Sequence, residues 1–170
     1  IREKEDPTAP FTFAAMGQLR PIKGHDTLIR AFALLRERTD RPVRLLIAGR
    51  GPLHDSLQAL IDELGLGDSC RLIGQIPREQ VVDFINDCDC FMCSSRTEML
   101  SCVLHECGAC GRPAIATRCG GPQDILTEDT GMLVPVDDPA AMADAMAVML
   151  DRAPTYDRQK IRDHILRHFG

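Results

Sequence analysis

What the sequence lacks already narrows its class. It has no apolar run near the roughly 20 residues of a membrane-spanning helix, so we expect no span. Lys and Arg are scattered and form no stripe, and the net charge is −5, so we expect no nucleic-acid partner. It also lacks an initiator methionine and a charged-then-apolar leader, and we therefore expect a cytoplasmic piece of a longer protein.

The remaining composition is typical of one soluble globular domain. Hydrophobic residues make up 44% and charged residues 26% of the 170 residues. A chain of ~150 residues buries about 68 to 70% of its unfolded surface, which is enough for a full core. We expect this domain to span residues 11–170. Residues 1–10 are charged and contain proline, which favours a linker or a disordered start.

Eight cysteines are many for a chain of this length. Five of them, with C-x-C-x2-C and C-x2-C spacings, leave a zinc site open: Cys88, Cys90, Cys93, Cys107 and Cys110. We interpret them as small hydrophobic residues inside a strand and a helix, because metal ligands usually lie on loops or knuckles. We therefore expect no metal, and no disulfide in a cytosolic chain. The five histidines show no ligand spacing, and we interpret them as surface residues.

Short apolar runs alternate with helical patterns along the whole chain. Strands are expected at 11–16, 43–48, 71–73, 88–93, before residue 117 and at 132–136. Helices are expected between them, including 25–38, 138–150 and 155–168. Such alternation with short turns means right-handed crossovers between parallel strands. The sequence therefore predicts an α/β fold with a Rossmann-like parallel sheet of about six strands and helices on both faces.

The stretch 88–117 is the most informative part of the chain. It predicts a buried strand that ends in two serines, then a turn, a helix and a second buried strand. Ser101 is a candidate N-cap, and the helix after it would bury Val103 and two cysteines on one stripe. Glu106 falls at the edge of this stripe, where a carboxylate needs a partner, and His105 points the opposite way.

A second carboxylate, Glu98, lies in the turn between the strand and the helix. Open parallel sheets bind ligands at this end of their strands. The free backbone amides of Leu100, Ser101 and Cys102 open the helix, and a helix N-terminus favours an anion such as phosphate. Carboxylates accept hydrogen bonds from sugar hydroxyls. The arrangement therefore predicts a ligand that carries both phosphate and hydroxyl groups.

Glu98 and Glu106 form a Glu-x7-Glu pattern that is followed by CGACGRPAIAT. This stretch resembles the donor-binding segment of the family-4 retaining glycosyltransferases. The resemblance implies that Glu106 holds the ribose hydroxyls of a nucleotide sugar and that Glu98 approaches the transferred sugar. It also implies that the amides of Ser101 and Cys102 bind the diphosphate. The sequence departs from the family at Met99, where glycine is usual.

Further residues match the same family, from about residue 11 to 150. The match implies that Lys23, in the loop after the first strand, neutralises the donor diphosphate. Gly49 matches a glycine below the nucleotide, and the backbone near Ile76 matches a turn that contacts the base. Gln18 stands where the family has a second phosphate-binding cation, an arginine, and Arg20 is the substitute that we consider. The resemblance thus implies the carboxyl-terminal half of a two-domain GT-B fold.

The resemblance implies retaining transfer of a glycosyl group, of the hexosyl type used in glycan biosynthesis. The donor would be a nucleotide diphosphate sugar, with UDP or GDP as the nucleotide, and no metal or other cofactor would take part. The acceptor pocket, and any peripheral membrane association, would belong to an amino-terminal GT-B domain, so we expect this piece to bind donor without turnover. The alternatives are a GT-B epimerase or phosphorylase, or a non-catalytic nucleotide-binding or interaction module on the same fold.

Overall fold

The computed structural model describes residues 1–6 and 8–170, and its centre is one parallel sheet. The strand order is β3-β2-β1-β4-β5-β6, and every paired neighbour is parallel. This is the doubly wound Rossmann order, so the predicted fold class is confirmed. The strands are β1 Phe11–Met16, β2 Val43–Ala48, β3 Cys70–Gly74, β4 Cys90–Cys93, β5 Ala114–Thr117 and β6 Gly131–Val134.

Helices cover both faces of the sheet, as predicted. They are α1 His25–Arg38, α2 His54–Glu63, α3 Val81–Asn86, α4 Cys102–Ala109, α5 Pro122–Ile125, α6 Pro139–Arg152 and α7 Arg158–Phe169. Helices α1, α2 and α6 pack on one face in a core rich in Leu, Ile and Met. Helices α3, α4, α5 and α7 contribute to the core on the other face. Strands β1, β4, β5 and β6 supply both cores, because successive side chains of a strand point to opposite faces, whereas β2 and β3 supply only the first.

Most predicted elements have the expected bounds within two or three residues. The strands at 11–16 and 43–48 and the helix at 25–38 are confirmed at both ends. Helix α5 was not predicted, because four residues after Gly120 and Gly121 are too few to show helical periodicity. Among the described residues, no helix is both long enough and apolar enough to cross a membrane.

Four of the five cysteines with metal-like spacing lie in the core on the second face, and Cys90 lies in the core on the first. Cys88, Cys90, Cys93, Cys107 and Cys110 are each at most 9% exposed, which confirms their interpretation as buried apolar residues. Burial raises the pKa of the Cys88 thiol to about 12, so this side chain remains uncharged. The second core therefore packs four cysteines among larger apolar side chains such as Phe91 and Leu104.

The orientation of α4 differs from the prediction, because α7 packs against it. A Cβ atom on Gly108 would lie 2.4 Å from Cγ1 of Ile165, so the two helices approach closely at this glycine. Leu104 is buried, and Val103 is only partly buried, against expectation. The prediction that His105 points away from the core is also wrong: its ring is half-buried and packs against Phe169 in a tilted arrangement, with ring centroids 4.7 Å apart.

The segment that precedes β1 contacts the sheet and α7. Lys4 Nζ lies 2.7 Å from a carboxylate oxygen of Asp89, and the Arg158 guanidinium donates to the carbonyl of Arg2 at 2.7 Å. The predicted linker at 1–10 includes residue 7, which lies outside the described residues.

Candidate functional site

The carboxyl ends of β1 and β4 form a crevice at the centre of the sheet. The two strands are neighbours, but the helices that follow them, α1 and α4, lie on opposite faces, so the loops leaving the strands diverge. Open parallel sheets bind ligands at this point. Two cavities open there, and they share the wall formed by residues 16–18.

The first, which we name the lysine–glutamate cavity, lies between the loops after β1 and β4. Its volume is about 420 Å³, and its lining includes Lys23, His25, Ser95, Glu98 and Ser101. The structure therefore brings together three residues that the sequence singled out, Lys23 from the loop after β1 and Glu98 and Ser101 from the loop after β4. Their roles toward a ligand stay predictions.

Lys23 is held against the end of β4 by its neighbours. Gly24 has a left-handed φ of 62°, and a Cβ atom there would lie 2.1 Å from the carbonyl oxygen of Ser94. The Ser94 hydroxyl donates to the carbonyl of Lys23 at 2.9 Å. A Cβ atom on Gly17 would lie 3.6 Å from Cδ of Lys23, so the lysine side chain passes over this glycine. The loop after β1 thus directs its ammonium group into the cavity.

Glu98 is fixed by both its side chain and its backbone. Its Oε2 accepts from the Ser95 hydroxyl at 2.6 Å and lies 3.5 Å from the Cys93 thiol, and its Oε1 lies 3.7 Å from Lys23 Nζ. The Gly121 amide donates to its carbonyl at 2.6 Å. Burial and the charge of Glu98 raise the pKa of Cys93 to about 12, so this thiol stays protonated and donates. The carboxylate is therefore held at the mouth of β4, opposite a cation.

The N-terminus of α4 opens beside Glu98. Ser101 is the N-cap, as predicted, and its hydroxyl accepts from the Leu104 amide at 3.4 Å. The amides of Leu100, Ser101 and Cys102 have no acceptor within residues 1–6 and 8–170. The positive end of the helix is thus available to an anion next to the lysine–glutamate cavity.

Glu106 is the one predicted carboxylate that lies outside both cavities. It is exposed on α4, one turn after Cys102, and lines neither cavity. Residues four apart on a helix share a face, so the exposed side of α4 carries both residues toward solvent. The binding of ribose by Glu106 stays a prediction.

The second cavity, which we name the arginine cavity, has a volume of about 540 Å³. It lies between the loops after β1, β2 and β3, where the predicted nucleotide-binding residues Gly49 and Ile76 both line it. Two arginines, Arg20 and Arg50, line it as well, and no carboxylate of the described residues does. The sequence predicted that Gly49 and the turn at Ile76 bind the nucleotide. The positive charge of the cavity could not be predicted, because it depends on how three loops converge.

Glycines allow the loop after β2 to pass directly under the loop after β1. Gly49 has a φ of 143°, and a Cβ atom there would lie 1.9 Å from the carbonyl oxygen of Gly17. A Cβ atom on Gly51 would lie 2.6 Å from the carbonyl oxygen of Leu19. The Leu19 amide donates to the carbonyl of Arg50 at 2.9 Å. The two loops therefore form one rigid wall whose shape requires glycine.

His25 was wrongly predicted to be a surface residue. It is 4% exposed at the first position of α1, and neither ring nitrogen has a hydrogen-bond partner within residues 1–6 and 8–170. Burial lowers its pKa from 6.5 to about 4, so the ring is neutral at physiological pH. Its spacing to Leu28, Ile29 and Phe32 was the available signal, because these positions share one helix face.

Arg96, two residues before Glu98, forms a network of polar contacts that was also not predicted. Its guanidinium lies 2.7 Å from Asp137 and within 3.1 Å of both carboxylate oxygens of Asp26, and it donates to the Pro21 carbonyl. Asp137 has a left-handed φ of 53°, which is unusual for a residue other than glycine. No local pattern predicts this network, because the aspartates lie 70 and 41 residues away along the chain.

A crevice of this kind is the place where doubly wound α/β proteins bind their ligands. The chain belongs to the family of glycosyl transferases group 1, whose model matches residues 1–163. It is 35% identical over 152 residues to the D-inositol 3-phosphate glycosyltransferase of Corynebacterium urealyticum. This match covers 85% of the chain and 36% of the relative, so the chain spans about a third of the relative's length.

Solved structures share the fold. The chain superposes on S. aureus TarM, crystallised as a mutant with UDP, with a TM-score of 0.88, 21% identity and coverage of 100% of this chain and 35% of TarM. It also superposes on the C-terminal domain of a group 1 family glycosyl transferase, LpcC of Francisella tularensis, with a TM-score of 0.84 and 20% identity. This match covers 95% of this chain and 88% of the LpcC domain. The fold of the chain is thus that of a carboxyl-terminal domain of a group 1 family glycosyl transferase.

Proposed function

We propose that this chain is the donor-binding domain of a metal-independent, retaining glycosyltransferase of family 4. The donor is a nucleotide diphosphate sugar, and an amino-terminal domain of the longer protein supplies the acceptor pocket. The single observation that carries the proposal is the convergence of Lys23, Glu98 and the N-terminus of α4 on one cavity. Together they offer two sources of positive charge for phosphate and one carboxylate for sugar hydroxyls.

The reaction breaks the bond between the anomeric carbon of the sugar and the nucleotide diphosphate. The acceptor oxygen bonds to that carbon and loses its proton, and the diphosphate leaves with the electron pair. Negative charge therefore grows on the leaving phosphate, where Lys23 and the amides of Ser101 and Cys102 stabilise it. These donors are fixed before the reaction, so little reorganisation opposes the transition state.

The nucleotide occupies the arginine cavity, and the sugar occupies the lysine–glutamate cavity. The shared wall at residues 16–18 then lies beneath the diphosphate. Glu98 accepts hydrogen bonds from the sugar, and the ribose extends out of the arginine cavity toward Glu106, which lines neither cavity. The exposure of Glu106 suits a ligand that lies across the helix N-terminus.

Calorimetric titration tests the donor site. The 170-residue chain is titrated with UDP, GDP and ADP, and we expect at least one to bind. Lys23→Ala should weaken this binding about 10- to 100-fold, since a hydrogen bond to a charged group contributes about 1.5 to 3 kcal/mol. The matched control is Lys160→Ala, an exposed lysine on α7 that lines neither cavity.

The outcomes separate the proposal from its alternatives. If none of the three nucleotides binds, or if both lysine variants bind equally well, the donor-site assignment is wrong. Sustained transfer by the 170-residue chain alone would contradict the need for a second domain. Binding by the longer protein with no transfer from any UDP, GDP or ADP sugar would favour a non-catalytic module.

A further inference from the structure

A third cavity lies at the amino edge of the sheet, away from the crevice. We name it the amino-edge cavity; its volume is about 370 Å³, and it opens between the segments that lead into β1, β2 and β3. Three arginines from three different elements line it: Arg36 of α1, Arg44 of β2 and Arg71 of β3. Lys and Arg are scattered along the sequence, and this cluster therefore forms only when the chain folds.

The three guanidinium groups have no acidic partner. None of them forms an ion pair within residues 1–6 and 8–170. Two other arginines in the same part of the sequence do form pairs: Arg38 with Asp144, and Arg41 with Asp151 at 3.2 Å. Acidic residues are plentiful, since Asp and Glu number 25 against 20 Lys and Arg. Three cations thus face one cavity without a carboxylate in contact.

The pairing of β2 with β3 places two of the arginines on one face of the sheet. Leu46 is opposite Arg71 in the register of the two strands, and Arg44 lies two residues before Leu46. Residues two apart on a strand point to the same face, so both arginines flank this leucine. Nε of Arg44 donates to the Thr12 hydroxyl at 2.8 Å, which orients the guanidinium and leaves its terminal nitrogens for a ligand.

A buried serine adds a hydroxyl group to the same cavity. Ser69 is 8% exposed and lines the cavity, and its hydroxyl has no hydrogen-bond partner in the part of the chain that the structure describes. Its backbone is fixed, because its amide donates to the Leu66 carbonyl at 2.9 Å and its carbonyl accepts from the Leu45 amide at 2.8 Å. A buried hydroxyl without a partner costs free energy, and a ligand that bonds to it recovers this cost.

Asp68 offsets part of the positive charge. It is exposed, and it is the one carboxylate among the described residues that line the cavity. Three arginines and one aspartate leave a net charge of +2. The chain as a whole carries −5 and repels anions, so the amino-edge cavity is a local exception.

We propose that the amino-edge cavity binds the phosphate group of a small soluble molecule. The three arginines supply charge and paired N–H donors for the phosphate oxygens, and the Ser69 hydroxyl donates a further hydrogen bond. A lipid headgroup carries the same chemical group, but the concave shape and the net charge of −5 favour a soluble molecule over an anionic membrane surface. This inference does not depend on the proposed function, because the cavity shares no lining residue with the donor site.

Amide shifts in nuclear magnetic resonance spectra locate the site. Inorganic phosphate is titrated into the isotope-labelled 170-residue chain, and the amides of Ser69 and Arg71 should shift. Phosphate in the donor site would instead shift the amides of Ser101 and Cys102, so the two sites are distinguished in one titration. The shift of the Ser69 amide gives the affinity of the amino-edge cavity.

A matched pair of variants on α1 tests the role of the arginines. Arg36 and Arg30 are both exposed on this helix, but only Arg36 lines the cavity. Arg36→Ala should weaken phosphate binding roughly three- to tenfold, as should Arg71→Ala, and Arg30→Ala should leave it unchanged. Asp68→Asn should strengthen it roughly two- to fivefold, because it removes the opposing charge. Damage to the fold would weaken binding in every variant, so the opposite sign separates charge from stability.

The outcomes decide the proposal. If phosphate shifts neither the Ser69 nor the Arg71 amide, or if Arg36→Ala and Arg30→Ala bind phosphate equally well, the inference is overturned and the proposed function is untouched. If Asp68→Asn weakens binding as the arginine variants do, the charge of the cavity does not hold the phosphate.

A vesicle experiment distinguishes the two sources of phosphate. The chain is sedimented with vesicles of phosphatidylcholine, with and without phosphatidic acid, and we expect it to remain in solution in both cases. Sedimentation with phosphatidic acid that is lost in Arg71→Ala would assign the cavity to a headgroup and overturn the soluble ligand.

Discussion

The two cavities at the carboxyl edge of the sheet share a wall and differ in charge balance. In the lysine–glutamate cavity, a cation and an anion face each other, and a neutral buried histidine lies beside them. In the arginine cavity, two cations line a larger space without an acid among the described residues. The difference shows how one sheet edge can serve two parts of a ligand, because the balanced cavity accepts neutral hydroxyls and the unbalanced one favours negative charge.

The largest expected effect comes from breaking the wall between the cavities. Gly49→Ala would place a Cβ atom 1.9 Å from the Gly17 carbonyl oxygen, at a φ of 143°. Backbone strain and the clash each cost about 1 to 3 kcal/mol, so we expect about 2 to 6 kcal/mol less stability. Denaturant unfolding measures this change, and nucleotide binding should be lost as well.

Two glycines in the loop between α2 and β3 separate the contributions of backbone strain and steric clash. Gly65 has a φ of 67°, and a Cβ atom there would have no neighbour within 4 Å, so Gly65→Ala measures strain alone, about 1 to 2 kcal/mol. Gly67→Ala meets neither strain nor a neighbour and should be nearly neutral. Equal effects at Gly49 and Gly65 would show that the wall tolerates a side chain.

The second prediction concerns the histidine that only one cavity contains. The folded pKa of His25 is about 4, against 6.5 when exposed. Between these values the unfolded chain binds a proton that the folded chain excludes. The contribution of the neutral His25 ring to the free energy of unfolding is therefore complete above pH 6.5. It is lost as the pH falls through about 4, by about 3 kcal/mol in total.

A variant isolates this effect from other acid-sensitive groups. The charges of Lys23 and Asp26 act on the ring in opposite directions: the first lowers the pKa of His25 and the second raises it. His25→Leu removes the titration and keeps an apolar side chain, so its free energy of unfolding should fall less between pH 7 and pH 4. His54→Leu, at an exposed position of α2, should behave like the wild type. Parallel pH profiles for His25→Leu and wild type would show that His25 does not titrate in this way.

The fold was easier to predict than the site, for a physical reason. Strand and helix periods are local, so the elements at 11–16 and 25–38 and the N-cap at Ser101 followed from neighbouring residues. The resemblance pointed to Lys23 and Glu98, which the sheet order then placed in one cavity. Arg96 could not be found this way, since its partners come from distant loops. His105 was misplaced because α7, far along the chain, covers that side of α4.

The smallest expected effect tests whether the balanced cavity restrains its own cation. Glu98→Gln removes the carboxylate charge 3.7 Å from Lys23 Nζ while keeping a side chain that hydrogen-bonds to Ser95. A partly exposed ion pair contributes about 1 kcal/mol or less. Releasing Lys23 should therefore strengthen UDP or GDP binding by up to about fivefold. Glu63→Gln, on exposed α2, is the control.

Binding and turnover should move in opposite directions in this variant. In the longer protein, Glu98→Gln should slow glycosyl transfer, because the amide is a weaker acceptor for sugar hydroxyls than the carboxylate. The nucleotide product should meanwhile bind more tightly, since the competition for Lys23 is gone. If both binding and transfer fall, Glu98 supports the phosphate site as well as the sugar. If neither changes, the ion pair is only a surface contact, and the two cavities differ less than their charges indicate.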